Sequence, residues 1–255
     1  MEKKLAFPKN FYWGAATSAH QVEGNNHNNW SEWENERGLE RSGRACDHYN
    51  RFAEDFDIAK SLGHNAHRFS IEWSRIEPKE GEFNEKEIEH YRRVIKALRE
   101  RGLEPFVTLW HWTTPIWFRD QGDWLSPKAP FHFTRFVERV VKEFPEVTYW
   151  ITLNEPNVYT GHGYLRGDWP PGERSLRKYF SANRNLAKAH TAAYKALKRE
   201  NPKTEAGVAE HFIWFTRWYN LPRRFFFNRW FLNSIEQYQD FVGVNYYRSD
   251  RNLEN

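Results

Sequence analysis

Cysteine and methionine are almost missing from this sequence, with Cys46 and Met1 the single examples among 255 residues. One thiol cannot close an internal disulfide, and no Cys or His spacing fits a zinc module. A disulfide scaffold and a zinc-built domain are therefore excluded, and a reducing compartment is expected. No apolar run reaches the roughly 18 residues of a membrane span. The segment from Met1 to Pro8 holds no apolar stretch long enough for a secretory signal. The expectation is a cytoplasmic protein with no membrane contact. A surplus of one charge is lacking too: 38 basic against 34 acidic side chains leave +4, too small and scattered an excess to imply a nucleic-acid partner. No low-complexity linker divides the chain, so one domain over residues 1–255 is expected.

Aromatic residues, by contrast, are plentiful. Thirteen Trp, 12 Tyr and 20 Phe make 18% of the chain, where soluble domains are usually led by Leu, Ala and Gly. Such residues fill cores, but Trp and Tyr beside polar groups also form platforms for the apolar faces of sugars. Composition does not choose between these uses.

Six short apolar runs alternate with helical periods. The runs predict strands at Tyr12 to Ala16, Ala66 to Trp73, Pro105 to His111, Thr148 to Asn154, Ala206 to Phe212 and Asp240 to Tyr246, near-continuous in apolar residues as buried parallel strands require. Asn84 with Glu87 three residues on predicts a capped helix with Ile88, Tyr91, Ile95 and Leu98 on one face, ended by Gly102. A second helix is predicted from Phe131 to Phe144 before Pro145. A third runs from about Ser175, with Leu186, Ala189, Ala193 and Leu197 inward, to Asn201-Pro202. The aromatic and basic stretch from His211 to Phe231 reads as a loop and a covering helix. Polar and aromatic residues crowd the C-terminal strand ends: His111-Trp112, Asn154-Glu155, Glu210-His211 and Asn245-Tyr246-Tyr247. In an α/β barrel those ends build the active site.

Asn154-Glu155 closes the apolar run Tyr149-Trp150-Ile151-Thr152-Leu153. Apolar surroundings would raise the Glu155 pKa toward that of a general acid, although a Glu at a strand end can equally be a salt-bridge partner. Five ordered motifs shift the balance: Phe11-Tyr12-Trp13-Gly14-Ala15-Ala16-Thr17-Ser18-Ala19-His20-Gln21-Val22-Glu23-Gly24, His67-Arg68-Phe69-Ser70-Ile71-Glu72-Trp73-Ser74-Arg75, Thr108-Leu109-Trp110-His111-Trp112, Thr152-Leu153-Asn154-Glu155-Pro156 and Gly243-Val244-Asn245-Tyr246-Tyr247. Together they resemble glycoside hydrolase family 1, the β-glucosidase and β-galactosidase family. The resemblance implies a retaining β-glycosidase on a (β/α)8 TIM barrel, acting on a β-glycoside or oligosaccharide without a cofactor. Glu155 falls on the acid/base position, and Asn154 on the residue that bonds the sugar 2-hydroxyl. Gln21, His111 and Trp112 fall on residues that hold the 3- and 4-hydroxyls. Arg68 and Tyr247 match groups beside the nucleophile, and Asn245 a further polar residue of the pocket.

Taken singly, Gln21 or Asn245 is more often a strand-end hydrogen-bonder, Arg68 an ion-pair former and Trp112 plain core. Glu23 and Glu72 read as structural, His64 and His67 lack a carboxylate at metal-ligand spacing, and Trp30 and Trp33 read as packing near the rim. The sequon Asn29-Trp30-Ser31 has no meaning without secretion. Thr113-Thr114-Pro115 departs from the family's usual Asp-Leu-Pro. About six of eight βα units are present, so the resemblance implies an incomplete barrel that lacks the seventh strand's nucleophile Glu and the sugar-gripping Glu-Trp pair after the eighth. Glu72 and Glu210 are expected near strand ends, where either could replace the nucleophile only in an inverting arrangement, which tolerates a wider carboxylate separation of roughly 6.5 to 9.5 Å. Three states follow: a piece of a working glycosidase completed by a C-terminal polypeptide, a sugar binder without turnover, or a protein that associates through its open barrel edges.

Overall fold

A computed structural model describes residues 6–249. Six parallel strands follow chain order: β1 (Gly14–Ala16), β2 (Ala66–Ser70), β3 (Glu104–Thr108), β4 (Tyr149–Asn154), β5 (Glu205–Trp214) and β6 (Phe241–Ser249), each paired with the next. They form a curled, incomplete TIM barrel, and among the described residues β1 and β6 each keep one edge unpaired. The helices used below are α1 (Asn29–Glu36), α2 (His48–Ser61), α3 (Glu85–Glu100), α4 (Ala129–Glu143), α5 (Pro156–Thr160), α6 (Leu176–Glu200) and α7 (Leu221–Asn228).

All six apolar runs form strands, with altered ends. β2 stops at Ser70 rather than Trp73, because Glu72 becomes the N-cap of a short helix, Trp73–Ile76. Its carboxylate accepts from the Ser74 hydroxyl at 2.7 Å and the Thr113 hydroxyl at 2.9 Å. β5 and β6 run past their expected ends, since a register shift between Phe212 and Ile213 lets the pair continue as a ribbon to Trp214 and Ser249. The aromatic and basic stretch differs from the expected loop and covering helix at both ends: His211 to Trp214 complete β5, the loop and α7 follow, and Trp230 and Phe231 open a further helix, Trp230–Ile235.

The predicted face of α3 is buried throughout. Its capping box is not formed. Asn84 Oδ1 accepts from the Lys86 amide at 3.1 Å, but Glu87 is drawn away by the Tyr49 hydroxyl of α2, 3.1 Å from each carboxylate oxygen. A charge-assisted bond to a side chain on a second helix wins over the local backbone amide. α6 is capped by Ser175 and buries Leu186, Ala189, Ala193 and Leu197. The alanines in that row leave no side chain beyond Cβ, so the helix can lie close against the layer it covers.

Part of the aromatic surplus goes into this layer between barrel and helices. Trp73, Trp110, Trp124 and Trp150 are fully buried, and the Trp110 ring meets Trp124 at 5.1 Å and Tyr159 at 4.9 Å. Truncating one such ring to alanine costs about 3–5 kcal/mol. Gly24 fixes the turn after the first motif. It has φ +85, and a Cβ there would stand 2.1 Å from the Arg44 carbonyl oxygen, so no L side chain fits.

His190 of α6 ties the helix layer to the sheet. Its Nδ1 lies 2.6 Å from the Thr152 hydroxyl of β4, and its Nε2 lies 2.7 Å from the Tyr238 carbonyl, which can only accept. The ring is therefore the neutral Nε2–H form, and burial pulls its pKa down to about 4. An unfolded histidine takes its proton near pH 6.5, so the stability this ring contributes is complete above that value and falls as pH drops toward 4. We expect the pH 6.5-to-4 loss of unfolding free energy to shrink by about 3 kcal/mol in His190→Gln. A His190 resonance titrating near 6.5 in the folded chain would contradict this.

Candidate active site

The site grows from the end of β4. A register irregularity between Ile151 and Asn154 displaces the last residues of the strand. The Asn154 amide then donates to the Trp110 carbonyl at 3.0 Å, and the Glu155 amide to the Ala209 carbonyl at 2.6 Å. Glu155 takes φ 48 and ψ 55, a left-handed conformation unusual for a residue with Cβ. Pro156, pre-set for the first helical position, starts α5 directly after it. The Glu155 carbonyl accepts from Val158 and Tyr159, both at 3.0 Å. The strained residue is thus held from the strand side and from the helix side, the circumstance in which such strain persists.

Around it, side chains from three other strand ends converge on Asn154. Arg68 Nη2 of β2 donates to Oδ1 at 2.5 Å, and Asn245 Nδ2 of β6 approaches the same oxygen at 3.4 Å. A guanidinium can only donate, so the atom it faces is the oxygen. The Asn154 Nδ2 therefore donates to His111 Nε2, at 3.2 Å. His111, just after β3, must then carry its proton on Nδ1, which is buried with no hydrogen-bond partner. Burial first, and the Arg68 charge second, pull the His111 pKa down to about 3, so the ring is neutral. Trp112 completes the cluster by donating from Nε1 to the Asn154 carbonyl at 3.0 Å, and it too has positive φ, 75.

Glu155 is buried, its side chain 6% exposed. Asn245 Nδ2 donates to its Oε1 at 2.7 Å, and His211 Nδ1 of β5 lies 3.9 Å from the same oxygen. Burial pushes the Glu155 pKa above the ordinary carboxylate value against the opposing pull of Asn245 and Arg68. Burial also lowers Arg68, to about 10, which leaves it cationic at neutral pH. Tyr247 reaches the cluster through the His211 ring, 5.3 Å away between centroids. Partial burial and then the Glu155 charge push its phenol above the usual range.

On the other side of His111 and Trp112 opens a cavity of about 390 Å³, lined by Gln21, His111 and Trp112 with His20, Trp30, Glu34, Ser42, Thr113 and Trp169. Here the aromatic surplus has its second use. Trp30 and Trp112 stack with centroids 6.5 Å apart and planes 24° apart. Trp169 meets them at 5.2 and 4.6 Å. The Trp30 Nε1 is buried and, like His111 Nδ1, has no hydrogen-bond partner among the described residues. Gln21 is exposed, and its Oε1 accepts from the Ser18 hydroxyl at 2.7 Å.

The structure thus gathers Arg68, Asn154, Glu155 and Asn245 into one bonded cluster and Gln21, His111 and Trp112 into a cavity wall, with the last two belonging to both. Trp30, read as packing, is part of that wall. Trp33 does pack, beneath the Arg37 guanidinium at 4.2 Å. Asn29 of the sequon is buried and accepts from the Thr114 amide at 2.8 Å. Glu34, Ser42 and Trp169 had no local signal in the sequence, while His20, inside the first motif, and His211, at a polar strand end, stood in view without an assigned role. Among the described residues no cluster of His, Cys, Asp and Glu could hold a metal ion, and no helix is long and apolar enough to cross a membrane.

The remaining carboxylates named from sequence have other occupations. Glu23 accepts from Tyr91 at 2.7 Å and Arg75 at 2.9 Å, and burial pushes its pKa up to about 7. Glu72 serves Ser74 and Thr113, as above. Glu210 is wholly buried, and burial together with the Glu155 charge raises its carboxyl well above the ordinary range.

Residues 3–218 match the profile of Glycosyl hydrolase family 1. Among curated relatives, "Beta-glucosidase A" of Acetivibrio thermocellus is 35% identical over 218 residues, 81% of this chain and 49% of that protein. The "6-phospho-beta-galactosidase" of Staphylococcus epidermidis is 40% identical over 216 residues, 82% and 46% of the two chains. Among solved structures, a β-glycosidase from Pyrococcus horikoshii superimposes with TM-score 0.87 at 39% identity, over 95% of this chain and 63% of that one. A family 1 β-glucosidase from Thermotoga maritima gives 0.89 at 30%, over 95% and 66%. The chain spans about half the length of the curated relatives it matches.

Because Asn245 donates to the Glu155 carboxylate, replacing it with leucine removes a bond that favours the ionised form. We expect carbon-13 NMR of the folded chain to show Glu155 titrating above the ordinary value, and higher still in Asn245→Leu. A midpoint near 4 in both proteins would contradict the geometry.

Proposed function

Since this chain belongs to glycosyl hydrolase family 1, we propose that it carries the acid/base half and part of the sugar-binding wall of a retaining β-glycosidase for β-linked glucose or galactose. The observation that bears most weight is the bonded chain Arg68, Asn154, Asn245 and Glu155, which is joined through Asn154 to His111 and Trp112 of the aromatic-walled cavity.

In this reading Glu155 enters the reaction protonated, gives its proton to the leaving glycosidic oxygen as the C1–O bond breaks, and then takes one from the attacking water. Asn154 uses one Nδ2 hydrogen on His111 and keeps the other for the sugar 2-hydroxyl, where a hydrogen bond strengthens as charge builds at C1. The side chains of Gln21 and His111 hold further hydroxyls, and the faces of Trp112 and Trp169 cover the apolar side of the ring.

Retention needs a second, ionised carboxylate at C1. Glu23, Glu72 and Glu34 are engaged by Tyr91, Arg75, Ser74, Thr113, His20 and Ser42, and burial, with the Glu155 charge, raises Glu210 well above the ordinary carboxylate range. We therefore place the nucleophile outside the described residues, so that the chain alone protonates a bound glycoside without displacing its aglycone. Azide can stand in for the absent carboxylate: it attacks C1, the phenol oxygen leaves with the Glu155 proton, and an α-glycosyl azide forms. With phenyl β-glucoside and azide we expect that product, formed at least about 100-fold more slowly by Glu155→Gln. Equal rates in the two proteins would remove Glu155 from the acid role. Azide-independent hydrolysis that Glu155→Gln abolishes would leave that role standing and refute the external nucleophile.

A further inference from the structure

Glu34 of α1 carries a net negative charge in the wall of the cavity. Its side chain is 12% exposed and anchored by three donors: His20 Nε2 on Oε1 at 3.0 Å, and the Ser42 amide at 2.8 Å and hydroxyl at 3.0 Å on Oε2. Burial alone would raise its pKa, but the Ser42 and His20 bonds outweigh burial and hold the carboxyl below the ordinary value.

The hydrogen-bond pattern leaves this charge unbalanced. Asn28 Oδ1 accepts from the Trp30 and Ser31 amides, both at 3.0 Å, which turns its Nδ2 toward His20 Nδ1 at 3.2 Å. An amide NH2 only donates, so His20 Nδ1 is the bare nitrogen and the ring is the neutral Nε2–H tautomer. The His20–Glu34 contact is thus a neutral donor on a carboxylate. Among the described residues no Lys or Arg lines the cavity, and His111 is neutral. Arg68, the cation of the neighbouring cluster, is bonded to Thr108 at 2.9 Å and to Asn154. A carboxylate offers about four acceptor positions. Three are taken, and one on Oε1 stays open to a hydroxyl.

Relatives of this chain are named both for unphosphorylated and for 6-phosphorylated sugars, so likeness does not choose between them. We propose that Glu34 makes this cavity selective for uncharged glycosides, accepting a sugar hydroxyl and repelling a sugar that bears a phosphate ester. The proposal rests on the β-glycosidase reading and names the substrate class of that same site. A phosphate ester carries nearly two negative charges at neutral pH. About 6 Å from a carboxylate, even in a water-like dielectric, that repulsion weakens binding about tenfold.

Trp30, Trp112 and Trp169 give a readout independent of turnover. Intrinsic fluorescence of the full chain is titrated at pH 7.5 and low salt with methyl β-glucoside and β-galactoside, their 6-phosphates and their 6-O-methyl ethers. We expect at least one parent sugar and its ether to bind with affinities within about threefold, and the matching phosphate about tenfold or more weaker. Raising the salt to about 0.5 M should narrow that gap by screening, as should Glu34→Gln, and the salt arm does not depend on the variant folding. A phosphate that binds as well as its parent overturns the proposal while sparing the glycoside reading. So does an ether excluded as strongly as the phosphate, because size would then be the cause, or a gap that salt and Glu34→Gln both leave unchanged. If none of the sugars quenches, the glycoside reading itself falls and this proposal with it.

Discussion

One side-chain amide organises the active end of this half-barrel. Asn154 receives Arg68 and Asn245 on its oxygen, gives a hydrogen to His111 and receives Trp112 on its backbone carbonyl. β2, β3, β4 and β6 are locked together at one residue. The arrangement depends on Arg68 being a donor that cannot be reversed: it orients the amide, the amide sets the His111 tautomer, and the tautomer leaves a buried N–H facing no protein acceptor. Removing the guanidinium would free the amide to flip and would unfix all three.

Glu155 is held one residue further on by backbone rather than by side chains. Its left-handed conformation places the carboxyl beside the Asn154 cluster instead of along the strand, and its two flanking elements keep it there. Burial raises its pKa, and only one hydrogen bond and one nearby cation oppose that rise. A well-solvated or doubly ion-paired carboxyl would be ionised at neutral pH, so sparse pairing is what the proposed proton-donor role requires. Glu23 shows the contrast. It is also buried and raised, but its two partners, Tyr91 and Arg75, occupy both oxygens and leave it a structural role.

Much of this arrangement was legible in the residues. Buried parallel strands must be apolar along their length and can turn polar only where they leave the layer, so Asn154-Glu155, His111-Trp112 and Asn245 announced themselves by breaking apolar runs. The ordered motifs then tied those strand ends to one family. Less could be read where a contact depends on distant chain. Glu87 fitted a capping box, and nothing local revealed that Tyr49 would claim it. Glu34 and Trp169 reach the cavity from a helix and a loop far apart in the chain, with no spacing that links them. The extensions of β5 and β6 follow from a register shift that periodicity does not encode. The aromatic excess likewise had two readings from composition, and the fold uses both: four tryptophans in the core and three around the cavity.

The orientation of the Asn154 amide can be read directly from its neighbour. A long-range proton–nitrogen NMR spectrum of the histidine rings distinguishes the two neutral tautomers and the cation. His111 should be the Nδ1–H tautomer throughout pH 5 to 8, and it should lose that preference in Arg68→Met, where the amide is free to turn. A His111 ring found in the Nε2–H or cationic form in the unaltered chain would contradict the organising role of Asn154, and with it the alignment of the cavity wall with Glu155.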